Sequence, residues 1–294
     1  MIDLHTHTTA SDGRLSPAQL VARASSAGVT VLAVTDHDTV AACAAVAEAC
    51  AKARITFVPG IEITAALLGD DVHMLGYFFD PASPALETFL DSQRRRRLDR
   101  VREMIDRLSR FDITLDAEAV LRPAVEDPTK SAGRPWIARA LVAGGHVKTT
   151  GEAFDRWLAR DRPAFVPRFA ATPAEVIARI HDAGGLASVA HPGLLGRDEW
   201  ISGFAGAGLD AVEAHHSRHD ADTTSHYRAM AERMQLAVSG GSDFHGDESH
   251  GAPNPGAVSL PRADFDRLVE RGDGSRMNRR RDPSPSSSGE TRPR

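Results

Sequence analysis

The sequence predicts an α/β protein of barrel type, and two observations carry that expectation. Seven apolar runs of strand length punctuate the chain: MIDLH, TVLAVTDHD, ITFVPGIEI, VHMLGYF, LASVAHP, LDAVEAHH and LAVSGGSDFH. Each ends in polar or acidic residues, and segments with recognisable helix caps stand between several of them. Near-continuously apolar strands alternating with helices indicate a parallel sheet or barrel buried on both faces.

The elements follow in order. Ser16-Pro17-Ala18-Gln19 and Thr172-Pro173-Ala174-Glu175 both read as a helix start, with Ser or Thr at N-cap, Pro at N1 and Gln or Glu at N3. Gly28 and Gly184 are the matching stops. Cys43 and Cys50 sit on one face of an Ala-rich helical stretch, too far apart to bridge each other, and read as buried small hydrophobes suited to a reducing cytoplasm. From Pro84 to Pro163 strand signals lapse. LRPAVEDPTKSAGRP reads as a loop and WIARALVAGG as a helix closed by glycine, so residues 84–163 are expected to form a helical insertion, a lid over one end of a barrel built from 1–83 and 164–271. Arg94 to Arg97 precede Leu98, Val101, Ile105 and Leu108 at helical spacing, which puts the arginines on a solvated helix face rather than on a phosphate. Residues 272–294 are polar and without apolar periodicity, and are expected to be disordered.

Composition narrows the function. The chain has 294 residues, 41% hydrophobic and 26% charged, enough for a sizeable core and ordinary for a soluble globular protein, with a monomer favoured. No apolar stretch approaches the ~20 residues that cross a membrane, and no signal peptide is visible. A net charge of −5 argues against an extended nucleic-acid surface, whose affinity comes from basic residues. It leaves room for an anionic substrate, because bound metal ions can supply local positive charge.

Metal binding is what the polar residues suggest. Residues two apart on a strand point the same way, so His5 and His7 can face one point, as can Asp243 and His245. Asp12 follows His7 closely, and His37, Glu62, His73 and His191 each lie near the end of an apolar run. In parallel barrels the carboxyl ends of the strands gather on one face. One histidine there would pass for a packed core or surface residue. Nine His, Asp and Glu residues at strand ends are hard to explain that way. Imidazoles and carboxylates without thiolate suit Mn, Fe or Zn, with Mn2+ the first choice.

The motifs HTHT, SDG, TDHDT, GIEI, HMLGY, AHPG and GSDFH, in that order, resemble those of the polymerase and histidinol phosphatase (PHP) family over about 1–80 and 165–260. The resemblance implies a distorted (β/α)7 barrel, two or three divalent ions and phosphoester hydrolysis. It assigns one ion to His5, His7, Glu62 and Asp243, and a second to Glu62, His73 and His191 with Glu62 bridging. Asp12, His37 and His245 would take the third. The insertion, with TKSAGRPWIARAL inside it, is similar to a branch holding 3',5'-nucleoside bisphosphate phosphatases and 5'-3' exoribonucleases. That likeness makes Lys130, Ser131 and Arg134 the candidate phosphate contacts, with His219 and His216 near the substrate. Asp36 and Asp38 flank His37 and are expected to orient imidazoles.

The expected reaction is hydrolysis of the 3'-phosphate of a nucleoside 3',5'-bisphosphate, giving AMP from the adenosine compound. A metal-bridged hydroxide would attack in line while Arg134 and the ions neutralise charge, with Asp243 in the reacting centre. His245 or water would protonate the leaving oxygen. The alternatives are a 5'-3' exoribonuclease acting on short 5'-phosphorylated RNA and a non-catalytic metal-binding regulatory module.

Overall fold

Seven strands form one sheet among the described residues, in the order β1 (Ile2–Asp3), β2 (Val31–Val34), β3 (Thr56–Leu67), β4 (Asp70–Tyr77), β5 (Leu186–Val189), β6 (Ala211–His216) and β7 (Ala237–Gly241). The structure is a computed structural model and describes residues 1–246 and 252–281. The sheet closes almost completely on itself. Past β1 the chain runs beside the end of β7, with Leu4 N donating to Gly240 O, Asp243 N to His5 O and His7 N to Phe244 O at 3.2, 2.8 and 2.9 Å. The short strands VLAV and LASV are buried throughout, as both faces of a helix-covered barrel require.

The barrel is not wholly parallel, which corrects the expectation. β4 runs antiparallel to both β3 and β5, while the other neighbours are parallel. The reason is local. Leu67 pairs with Asp70, so only Leu68 and Gly69 join the two strands, and both have positive φ, 50° and 86°. Such a turn makes a hairpin, whereas a parallel crossover needs about a dozen residues.

Outside the sheet, α1 (Pro17–Ser26) and α7 (Pro173–Asp182) begin with the two expected capping boxes. Gly28 and Gly184 follow them with φ of 80° and 85°, a conformation glycine takes without strain. α2 (Cys43–Ala53) buries both free cysteines. Between β4 and β5 lie α3 (Pro84–Ser109), α4 (Ala117–Glu126), α5 (Arg134–Ala143), α6 (Thr150–Ala153) and one π-helical turn, Phe154–Leu158. α4 corrects the loop reading of residues 121–135. The Asp116 carboxylate caps it at Ala119 N, and Leu121 and Ala124 are buried on one face, which outweighs the hydrogen bond lost at Pro123.

These helices share a hydrophobic cluster of their own that includes Met104, Leu108, Leu121, Ile137 and Leu141. The first turns of α3 instead send Leu86 and Leu90 into the barrel's cluster, so α3 straddles the two. α8 (Pro192–Leu195) and α9 (Asp198–Gly206) follow β5, and α10 (Ala221–Arg233) links β6 to β7. α11 (Arg262–Arg281) continues past Gly272, where a disordered tail was expected to start; residues 282–294 of that tail lie outside the described residues. No helix among the described residues is long and apolar enough to cross a membrane.

Candidate metal centre

His5 and His7 face inward together because the seam that closes the barrel holds residues 4–7 extended. A loop then brings in Asp12. Asp36 holds this loop by accepting from Thr8 N, Thr8 Oγ1 and Ser11 Oγ at 2.8, 2.6 and 2.6 Å. Gly13 is needed beneath it, since a Cβ there would meet the His7 carbonyl at 2.6 Å. His37 leaves β2 and bridges to Glu62 on β3, His73 lies on β4, and His191 and Asp243 follow β5 and β7. His191 and Asp243 both take positive φ, 29° and 55°. Unusual backbone of this kind persists where the surroundings impose it, commonly at functional sites.

The centre is organised round the Glu62 carboxylate, which is 1% exposed. Its Oε2 lies 3.4, 3.3 and 3.2 Å from nitrogens of His5, His7 and His37, and its Oε1 2.6 and 3.1 Å from those of His73 and His191. Asp243 Oδ1 is 3.2 Å from both His5 Nε2 and His7 Nε2, while Oδ2 is 3.3 Å from His216 Nε2. Asp12 completes the set at 3.3 Å from His245 Nε2 and 3.6 Å from His37 Nε2.

These donors fit divalent cations. His7 Nδ1 and Nε2, His37 Nδ1 and His73 Nδ1 are buried beside carboxylate oxygens yet aligned with none of them as in a hydrogen bond, a costly arrangement for polar atoms unless they serve a ligand. Four sets place their ligating atoms within 4.8 Å of one another: His7, Asp12, His37 and His245; His5, His216 and Asp243; His5, His7 and Glu62; and His37, Glu62 and His73. Charge supports the same conclusion. Burial alone would raise the carboxyls of Glu62, Asp12 and Asp243, yet the surrounding imidazoles hold all three well below the usual range. Burial opposes a proton on His7, but Asp243 and Glu62 overcome it and push that imidazole up to about 10. Burial wins at His37, where His7 and His73 add repulsion and drive it down. Lone pairs with this appetite for positive charge attract a cation as they attract a proton.

The centre opens into a cavity of about 310 Å³, whose wall includes Asp12, Glu62, His73, His191, Asp243 and His245. Guanidinium groups complete it, those of Arg97, Arg134, Arg168 and Arg218. A second cavity of about 270 Å³ adjoins it and shares His73, Arg134, His191 and Leu194.

A PHP domain model matches residues 3–124. The 3',5'-nucleoside bisphosphate phosphatase of Chromobacterium violaceum is 35% identical over 249 residues, covering 83% of this chain and 87% of that protein. The chain belongs to the PHP family. The 5'-3' exoribonuclease Rnm of Salmonella typhimurium is 36% identical over 83% of this chain and 84% of its own length. Among solved structures, a protein of Bifidobacterium adolescentis assigned as a metal-dependent phosphoesterase superimposes with a TM-score of 0.83 at 32% identity, covering 92% of this chain and 96% of that one.

Within this PHP protein the nine residues predicted as ligands converge on one point, and His216 joins them. It was expected near substrate, but its ring, hidden from solvent, faces Asp243 and falls in a potential ligand set with His5. His245 lines the cavity with its Nε2 3.3 Å from Asp12 Oδ1, within one such set. His219 lies off the cavity wall: its Nδ1 donates to Ala214 O at 3.0 Å and its Nε2 accepts from Gly193 N at 3.2 Å. Lys130 and Ser131 are also absent from that wall. Ser131 N donates to Ala10 O, and Trp136 Nε1 and Arg139 donate to the carbonyls of Ser11 and Asp12, so this part of the insertion docks on the Asp12 loop.

Neither Asp36 nor Asp38 orients an imidazole by hydrogen bond. That task belongs to Glu213, whose Oε1 accepts from His5 Nδ1 at 2.8 Å and whose Oε2 accepts from His191 N at 2.7 Å. With Nδ1 engaged, His5 turns Nε2 toward Glu62 and Asp243. The solvated reading of the arginine run is corrected as well. Arg94 and Arg97 are buried while Arg95 and Arg96 face solvent, and Arg100, one turn on, joins the buried face. The spacing of 94, 97 and 100 was the available signal. Arg168 sits in a stretch without periodicity and offered none.

Proposed function

We propose that the protein is a metal-dependent phosphoesterase that removes the 3'-phosphate from nucleoside 3',5'-bisphosphates, converting the adenosine compound to AMP and phosphate. One observation carries the reading: a single cavity holds both the imidazole–carboxylate centre and a set of guanidiniums separate from it. The centre suits the phosphate that reacts, and the arginines suit one that stays.

Two to three divalent ions, Mn2+ by preference, would be held by His5, His7, Glu62 and Asp243, by Glu62, His73 and His191, and by Asp12, His37 and His245, with His216 a further donor beside Asp243. Bound there, they would supply Lewis acidity that activates water at neutral pH and offsets phosphate charge. The chain's own residues do the rest. Glu213 fixes the orientation of His5 and the backbone at His191. Arg134, with Phe154 beneath its guanidinium at 5.7 Å, presents a planar fork to phosphate oxygens, and Arg97 and Arg168 stand beside it. The buried free cysteines Cys43 and Cys50 fit a cytoplasmic site of action.

The second reading, 5'-3' cleavage of short 5'-phosphorylated RNA, draws on the adjoining cavity, which offers room beyond His73 and His191 for a departing chain. Both are tested together by assaying the Mn-loaded protein on a nucleoside 3',5'-bisphosphate and on a 5'-phosphorylated oligoribonucleotide. A kcat/KM higher by about tenfold or more on the bisphosphate is expected. The reverse order favours the exonuclease, and turnover of neither favours a non-catalytic metal-binding module.

A further inference from the structure

Behind the cavity wall two carboxylates gather four guanidiniums, of which those of Arg97, Arg134 and Arg168 line the cavity while Arg100 stands behind them. Asp38 makes a short ion pair with Arg97 Nε, lies 3.8 Å from Arg168 and accepts from Thr64 N at 3.0 Å. Asp71 Oδ2 is 3.4 Å from Arg134 and 4.0 Å from Arg100, and its Oδ1 is 3.4 Å from Arg168 Nε. Burial disfavours charge on Arg100 and Arg168, lowering them to about 10 and about 9, so both remain cationic at neutral pH. Burial also works against the Asp71 carboxylate, yet Arg168, Arg134 and Arg100 keep it far below the usual range.

Four positive charges against two negative leave a surplus of two. A terminal phosphomonoester carries about two negative charges at pH 7, whereas an internal diester carries one. The cluster is also incompletely satisfied: Arg100 Nη2 is buried without a hydrogen-bond partner, and Arg168 Nε has the 3.4 Å ion contact with Asp71 but no aligned hydrogen bond. Asp71 and His73 are two apart on β4, on the same face and about 6–7 Å from each other along the strand. The strand therefore ties the carboxylate that the arginines surround to a residue of the metal centre.

We propose that Asp71 is a positioning residue: it aims Arg134, Arg168 and Arg100 and, with Asp38, trims their charge to match a phosphate dianion. The wall then selects substrates that end there in a phosphomonoester. The proposal rests on the phosphoesterase reading above and names the part of the substrate that the arginines hold.

The test compares the full-length Mn-loaded protein with Asp71→Asn on two substrates, a nucleoside 3',5'-bisphosphate and the corresponding 3'-monophosphate. The ratio of their kcat/KM values measures selectivity for the second phosphate. Wild type should prefer the bisphosphate, and Asp71→Asn should cut that preference by about tenfold through a higher KM, with kcat, metal content and 3'-monophosphate kinetics within about twofold. Asp71→Glu, which keeps the charge, should retain most of the preference. Asp71→Thr, compatible with a strand, is read in the same way should the asparagine variant fail to fold. An unchanged ratio overturns the proposal, as does an equal loss on both substrates. If wild type hydrolyses neither compound, the phosphoesterase reading itself falls; if it acts only on RNA, the ratio is taken between 5'-phosphorylated and 5'-hydroxyl oligomers.

Discussion

Glu62 is the residue on which the centre turns. Its two oxygens reach five imidazoles, and no other carboxylate in the site touches so many. Glu62→Gln nearly preserves volume but replaces an anionic oxygen by an amide nitrogen, which repels a cation. Activity is expected to fall at least ~10³-fold, about 4 kcal/mol of transition-state stabilisation. Elemental analysis should show fewer ions per chain while circular dichroism stays near wild type. Full metal content with most of the activity retained would make Glu62 a bystander. Residues like this were legible because ligands cluster at strand ends in short motifs. Glu213 was not, although a carboxylate inside the apolar run LDAVEAHH needs a buried partner and was a usable sign. The arginines of the wall were hidden for another reason: a run of four reads as solvated until the alternation of buried and exposed positions along α3 is known.

Strands and helices repeat the lesson at a larger scale. The seven runs were legible as strands because their burial is written in their composition. Their directions were not, since direction depends on connection length. The sign was the brevity of ALLGDD between β3 and β4. Asp210, just before β6, shows how neighbouring elements are tied. Its N donates to Ala187 O at 2.9 Å, its carbonyl accepts from Ala237 N at 2.9 Å, and its Oδ2 accepts from Ala187 N at 2.9 Å and from His181 Nε2 at 2.7 Å. Burial would raise this carboxyl, but the hydrogen bonds from His181 and Ala187 and the Arg271 guanidinium outweigh it, and its pKa is lowered. A depressed carboxylate contributes stability above its unfolded value, near 3.9, and that contribution is lost as pH falls through the folded value. Asp210→Asn should therefore destabilise by about 1–3 kcal/mol at pH 7 in urea unfolding, and the gap to wild type should close below about pH 4. A gap independent of pH would mean that shape rather than charge ties β5 to β6.

For the whole molecule, the centre draws on both ends of the described fold. His5 and His7 follow the first strand and Asp243 and His245 the last, across a seam held by a few backbone hydrogen bonds. A cation shared by these groups would bind only the closed barrel, because the unfolded chain separates them by more than two hundred positions. Ligand binding of this kind stabilises by RT ln(1 + [L]/Kd), about 2.7 kcal/mol for one site at a hundredfold excess over Kd. In a protein of this size that raises Tm by roughly 4 °C. Adding Mn2+ to chelator-treated protein should produce at least that rise, and hydrogen exchange at the amides of residues 4–7 and 240–244 should slow in step. Glu62→Gln should show less than half the shift, whereas Asp71→Asn, outside the ligand set, should show all of it. A Tm indifferent to Mn2+ in wild type would mean that the imidazoles and carboxylates are held together by one another alone, and the metal centre would have to be abandoned.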